Sequence, residues 1–167
     1  MILGFDPGIT GAIAEYHPDG GIVLHDMPTT AKLTGKGFKV NEDLLCNLLD
    51  SIGVPDIYCA FVEQVNAMPP IGGNRSAGAT SMFGFGEGFG IIKGCLAGLG
   101  VRREYVAPAT WKKQFGLLKK EKDAARTFAL QRFPHVSNEL KRKKDIGRAD
   151  ALLIASYGHD KLLGEIM

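Results

Sequence analysis

Met1-Ile2-Leu3-Gly4-Phe5-Asp6-Pro7-Gly8-Ile9-Thr10-Gly11 is the stretch on which the fold turns. An apolar run leads into one acid, and a glycine-rich turn follows at once. A strand can therefore hold a carboxylate at its end with bare backbone around it. A second apolar run, Ile57-Tyr58-Cys59-Ala60-Phe61-Val62, ends the same way in Glu63. A third acidic group, Asp145 and Asp150, lies in Lys143-Lys144-Asp145-Ile146-Gly147-Arg148-Ala149-Asp150-Ala151-Leu152-Leu153-Ile154-Ala155. Carboxylates gathered from distant segments of a basic chain point to metal-dependent phosphoryl chemistry. Two Mg²⁺ ions roughly 3.5–4 Å apart, held by hard oxygen ligands, can activate water and stabilise charge on the attacking and leaving oxygens.

Outward from that stretch, residues 2–6, 11–17 and 21–27 read as three strands. Pro18-Asp19-Gly20-Gly21 is the turn that makes the last two a hairpin. Residues 28–40 lack an apolar period and read as a loop. Asn41 can cap a helix running to about residue 51, with Leu44, Leu45, Leu48 and Leu49 on one face. Residues 57–63 form a strand without polar alternation, which implies burial on both faces. A loop over 66–79 precedes a helix over 81–99 with two stripes. Met82, Phe85, Phe89, Ile92 and Leu96 recur at helical spacing, and Gly86, Gly90, Gly94 and Gly98 recur every fourth residue. An interior helical glycine costs around 1 kcal/mol relative to alanine, so the ridge calls for close backbone packing. Its partner is either the sheet beneath or the same helix in a second copy. A strand over 102–106 follows, then a short helix opened by Pro108, a helix over 120–133 stopped by Pro134, and a last helix from near Gly147. This order predicts a mixed three-layer α/β fold in one domain spanning 1–167.

Composition narrows the function. The apolar fraction of 45% and charged fraction of 23% are ordinary for a globular protein. No segment approaches the roughly 20 apolar residues of a membrane span, and no signal peptide is visible. A cytoplasmic, non-membrane protein is expected. Cys46, Cys59 and Cys95 have no metal-ligand spacing and read as buried reduced thiols. The net charge is only +2, but Lys112, Lys113, Lys119, Lys120, Lys122, Arg126, Arg132, Lys141, Arg142, Lys143 and Lys144 crowd the second half. Such a distribution suits a polyanion, or is a solvated face.

Each acid also has an ordinary reading. Asp6-Pro7-Gly8 can be a plain turn whose aspartate accepts local backbone hydrogen bonds. Glu63 can merely end a strand, Asp145 can be an N-cap, and Asp150 can complement a helix N-terminus. If both C-terminal acids were helical, they would point about 140° apart. They converge only if Asp145 precedes the helix and the chain bends back at Gly147.

Three motifs in order carry a resemblance: Gly4-Phe5-Asp6-Pro7-Gly8-Ile9-Thr10-Gly11, Val62-Glu63-Gln64-Val65, and Gly147-Arg148-Ala149-Asp150-Ala151-Leu152-Leu153-Ile154-Ala155. They resemble the RuvC-type Holliday junction resolvases, especially small phage and prophage members, within the RNase H-like superfamily. The resemblance implies an RNase H-like fold with a five-stranded mixed sheet flanked by helices. It also implies a homodimer and two Mg²⁺ ions per active site, with Mn²⁺ able to substitute. The implied activity is paired nicking of a four-way DNA junction, leaving 5′-phosphate and 3′-hydroxyl ends. Asp6 would bridge the metals, and Glu63 and Asp150 would complete the site. Bacterial members carry the fourth ligand three residues before the last acid, where this chain has Gly147; Asp145 is the nearest substitute. Lys112 and Lys122 match the family's functional lysines. Asn74 and Arg75 are candidate junction contacts, as are Lys112, Lys113, Lys119, Lys120, Lys122, Lys143 and Lys144. The family's stacking aromatic is Asn66 here, with Met68 a possible substitute. Trp111 reads as core. Rival readings are another RNase H-like nuclease acting on flaps or RNA–DNA hybrids, a junction binder that does not cut, and an ATPase, which would need a second domain.

Overall fold

A computed structural model of the chain describes residues 1–33, 35–64, 66 and 79–166, with the backbone alone at 79, 80, 165 and 166. Strands β1 (Ile2–Asp6), β2 (Ala12–Tyr16) and β3 (Ile22–Asp26) form an antiparallel meander. Residues 28–40, expected to be loop, contain a separate small hairpin of β4 (Thr29–Ala31) and β5 (Phe38–Val40). Its closure depends on Gly37, which accepts from the Lys32 N–H and has φ 105°. Three-residue strands leave no readable alternation, which is why the pattern missed them.

Helix α1 (Glu42–Ile52) starts on the anticipated cap, with Asn41 Oδ1 accepting from the Leu44 N–H at 2.8 Å. Strand β6 (Cys59–Glu63) follows, then α2 (Ala79–Gly98), β7 (Arg103–Val106), α3 (Pro108–Gln114), α4 (Ala124–Arg132) and α5 (Ile146–Ile166). Helix α4 begins at Ala124, four residues later than the expected 120.

The main sheet has the order β3-β2-β1-β6-β7. Strand β6 pairs in parallel with both β1 and β7, so the sheet is mixed and five-stranded. Alternation along the strands sorts two cores. Leu3, Phe5, Ile13, Ala60 and Val62 face Leu45 and Leu49 of α1 and Ile92 and Leu96 of α2. Ile2, Ala12, Ala14, Cys59 and Phe61 face Trp111, Ala129 and the run from Ala149 to Ala155. Cys46, Cys59 and Cys95 are reduced, with Cys46 Sγ 2.7 Å from Cys95 Sγ where α1 meets α2. Among the described residues no helix is long and apolar enough to cross a membrane.

Helix α5 lies against β1 with almost no clearance. A Cβ on Gly4 would meet the Ala151 carbonyl oxygen at 2.1 Å, and one on Gly158 would meet the Phe61 ring at 2.3 Å. Helix α2 behaves oppositely along its glycine ridge. Among the described residues, a Cβ at Gly86, Gly90, Gly94 or Gly98 would meet nothing within 4 Å. The ridge therefore looks away from the sheet.

Because the obstacle at Gly4 is backbone rather than a movable side chain, Gly4→Ala is expected to destabilise the protein by about 2 kcal/mol or more. Urea unfolding of the variant beside the parent measures this.

Candidate active site

Asp6 and Glu63 end neighbouring strands. The parallel register pairs Phe5 with Val62, which brings the two acids to the same sheet edge. Alternation places Asp6 on the face of Gly4, the face against which α5 packs. Asp150 lies in the opening turns of α5 and reaches the same neighbourhood. The turn after Asp6 is tight: the Gly11 N–H donates to the Gly8 carbonyl at 3.0 Å, and a Cβ on Gly11 would lie 2.0 Å from the Asp6 carbonyl oxygen. Gly11 is therefore required by space.

Electrostatics separates the turn reading of Asp6 from the functional one. An aspartate that caps its own turn accepts N–H bonds and titrates low. Asp6 instead is raised to about 8, first by burial and then by the charges of Asp150 and Glu63, with Lys112 and Lys122 pulling the other way. Asp150 is raised to about 7 by burial, with Lys112 and Lys122 opposing and Glu63 assisting. Burial also raises Glu63, opposed by a hydrogen bond from Trp111 and by Lys112. Three acids and two lysines thus form one electrostatic unit, in which the acids titrate as a coupled set.

The donor set suits a hard divalent cation. Asp150 Oδ1 is buried without a hydrogen-bond partner, a costly state for a carboxylate oxygen. A cation beside Asp6 and Asp150 would relieve both this deficit and the repulsion between the acids. Among the described residues, however, no three His, Cys, Asp or Glu side chains stand as a ready-made coordination group. The acids are coupled neighbours rather than a closed cage.

Asp145 stands apart. It ends the turn Lys143–Asp145 just before α5, as convergence would require, but its carboxylate is turned onto Arg142. Oδ1 accepts from Arg142 Nη2 at 2.8 Å, and Oδ2 accepts from the Arg142 backbone N–H at 2.8 Å. Burial would raise its pKa, but these bonds hold it below the usual range. It is not among the charges that shift Asp6, Glu63 or Asp150. Position 147 is closed to any acid, since a Cβ there would lie 2.4 Å from the Thr10 carbonyl oxygen and 3.2 Å from Asp6 Oδ2. A bare α-carbon sits where the resembled family puts its fourth ligand.

Lys112, Lys119, Lys120 and Lys122 line a pocket of about 250 Å³ with Asp150. Lys113 is exposed on α3, and Lys143 and Lys144 are exposed on the turn before α5. Asn74, Arg75 and Met68 lie outside the described residues. Beside the Asp6 turn is a larger groove of about 660 Å³, where Ile9, Phe38, Met82 and Phe85 meet Lys32, Lys36 and Lys39. Sequence reading missed one residue of the site. Trp111, fully buried as expected of core, donates from Nε1 to Glu63 Oε2 at 2.7 Å. Its place one residue before Lys112 was the available signal, since a buried indole N–H needs an acceptor.

Acids raised by burial hold more protons in the folded chain than in the unfolded one, whose aspartates titrate near 3.9. In EDTA, stability should therefore be full below about pH 4 and fall as pH rises towards 8. Asp6→Asn should flatten that slope and raise the melting temperature at pH 8 by about 3 °C or more. Thermal unfolding in EDTA across this range measures both.

No family model matches the chain. Over 93 residues, 54% of the chain, it is 38% identical to "Holliday junction resolvase MOC1, chloroplastic" of Chlamydomonas reinhardtii. That match spans only 10% of the relative's length. Among solved structures, Thermus thermophilus RuvC superposes with a TM-score of 0.52 at 16% identity, covering 92% of this chain and 90% of that one. The yeast mitochondrial Holliday junction resolvase Ydc2 gives 0.52 at 16% identity, covering 93% and 75%. With its sheet order and these likenesses, the chain resembles the RuvC-type resolvases and has their RNase H-like fold.

Proposed function

We propose that this chain is a divalent-metal-dependent endonuclease that nicks four-way DNA junctions, with Asp6, Glu63 and Asp150 as its metal-holding acids. The observation that carries this reading is the coupling of Asp6 and Asp150, both titrating far above ordinary aspartates. Holding these acids ionised near neutral pH requires a compensating positive charge. Mg²⁺, or Mn²⁺ in its place, would activate water and neutralise charge on the scissile phosphate. Asp6 and Glu63 present their carboxylates from rigid strand ends, and Asp150 presents its own from a helix seated on the sheet. Lys112 and Lys122 bring positive charge to the same point, where a phosphodiester's oxygens need it. Lys113, Lys119, Lys120, Lys143 and Lys144 extend the basic surface for backbone phosphates, which position DNA without reading its sequence. Asp145 serves this reading as the anchor of Arg142 at the start of α5. The products would carry 5′-phosphate and 3′-hydroxyl ends.

A junction needs two coordinated nicks, and the outer face of α2 offers the seat for a second copy. Phe83 is 74% exposed there, beside the open ridge of Gly86, Gly90, Gly94 and Gly98. Bare glycines let two helices approach at backbone distance, which accounts for residues that otherwise only weaken a helix.

The chain is expected to cut a synthetic four-way junction in Mg²⁺ and to leave linear duplex, flap and RNA–DNA hybrid largely intact. Asp6→Asn and Glu63→Gln should each lower nicking by about 100-fold or more, since each removes charge from the metal site. Junction affinity measured by gel shift should stay within about 3-fold, because phosphate contacts supply it. Binding without nicking by the parent protein would point to a junction binder, and equal cutting of hybrid or flap to another RNase H-like nuclease. Gly90→Leu is expected to convert a dimer to monomers in sedimentation velocity. An unchanged sedimentation coefficient would remove α2 from the interface.

A further inference from the structure

Trp111 touches both signs of charge in the site. Its Nε1–H donates to Glu63 Oε2 at 2.7 Å, and Lys112 Nζ lies 5.0 Å from the centroid of its ring. The indole itself is wholly buried, while Glu63 and Lys112 are half-buried. An indole nitrogen donates and never accepts, so the direction of the bond is fixed. The terminal torsion of a glutamate is otherwise soft and broad. Tying one oxygen to a ring locked in the core removes that freedom before any ligand arrives. The ring face meanwhile attracts the Lys112 ammonium.

We propose that Trp111 is a positioning residue, which sets the Glu63 carboxylate through its N–H and the Lys112 ammonium through its face. This rests on the metal-dependent reading above and adds to it a residue that reaches cation and phosphate only through others. Trp111 stands at the N-terminal side of Lys112 in α3, a helix of seven residues tied to the end of β6 by the Trp111–Glu63 hydrogen bond. That helix therefore delivers acid orientation and positive charge together. Any displacement of it would move Glu63 and Lys112 as a pair.

The chain has a single tryptophan, so growth in a tryptophan auxotroph replaces position 111 alone. β-Benzothienylalanine keeps the bicyclic shape and the π face but puts sulfur in place of N–H, whereas 5-fluorotryptophan keeps the donor. Mn²⁺ binding is read directly from the electron paramagnetic resonance signal of the free ion, independently of nicking. The fluorotryptophan protein should match the parent. The benzothienyl protein should bind Mn²⁺ about 10-fold more weakly, the usual cost of losing a group that orients a metal ligand. Its nicking should recover as metal is raised, with junction affinity and unfolding midpoint unchanged. Equal Mn²⁺ affinity in the two substituted proteins overturns the proposal. If the parent itself binds no Mn²⁺, the nuclease reading fails, and the positioning contact is judged by the indole ¹⁵N–¹H resonance. Glu63→Gln should then shift that single peak upfield as a charged acceptor becomes neutral. A peak that stays in place excludes the contact.

Discussion

The close seating of α5 on β1 is the constraint on which the remaining structure depends. At Gly4, Gly147 and Gly158 a single methyl group would collide with backbone or with a core ring. The helix can lie at this depth only because those positions carry no side chain. The depth has two effects. It completes the core through Ala149, Ala151, Leu152 and Ala155, all fully buried. It also carries Asp150 below the surface, so that both acids lose hydration, Asp6 feels the charge of Asp150 and Asp150 that of Glu63. Core packing and site electrostatics are therefore one event, and lifting the helix would loosen both.

Burying several carboxylates together is unfavourable unless something answers their charge. The chain answers in part from its own side chains. Lys112 and Lys122 lower the acids they face, and Trp111 donates to Glu63. These contributions leave Asp6 and Asp150 still raised, and Asp150 Oδ1 still without a partner. The remaining deficit is what a bound cation would satisfy. Asp145 shows the contrasting solution within the same stretch of chain. Its charge is consumed by Arg142, and it titrates low. Two aspartates five residues apart thus have opposite electrostatic fates, decided by which cation reaches them.

The two helical layers have different tasks. On one face, α5 and α3 bring Asp150, Lys112 and the indole to the acids that end β1 and β6. On the other, α1 and α2 seal the sheet through Leu45, Leu49, Ile92 and Leu96, while α2 turns its glycines outward. Gly88 is an exception that clarifies the geometry. A Cβ there would lie 3.0 Å from Val40 Cγ2, so this one glycine of α2 does face β5. The same residue type serves tight internal packing on one side of the helix and leaves a bare ridge on the other.

Much was legible because it depends on local rules. A strand buried on both faces, Asn41 as a cap, Pro108 at a helix start and an acid closing each of two apolar strands all follow from residue type and spacing. The parallel pairing of β1 with β6 was not legible, since partners 57 residues apart leave no local trace. Nor could sequence decide between the outward and inward readings of the glycine ridge, because periodicity marks a stripe without saying what it faces. The partner of Asp145, the role of Trp111 toward Glu63 and the closing of position 147 were likewise settled only in three dimensions. By itself the sequence determined the elements and the residue types able to do chemistry. Tertiary structure decided which of them meet, because burial, repulsion and hydrogen bonding depend on distances that only the packed chain sets.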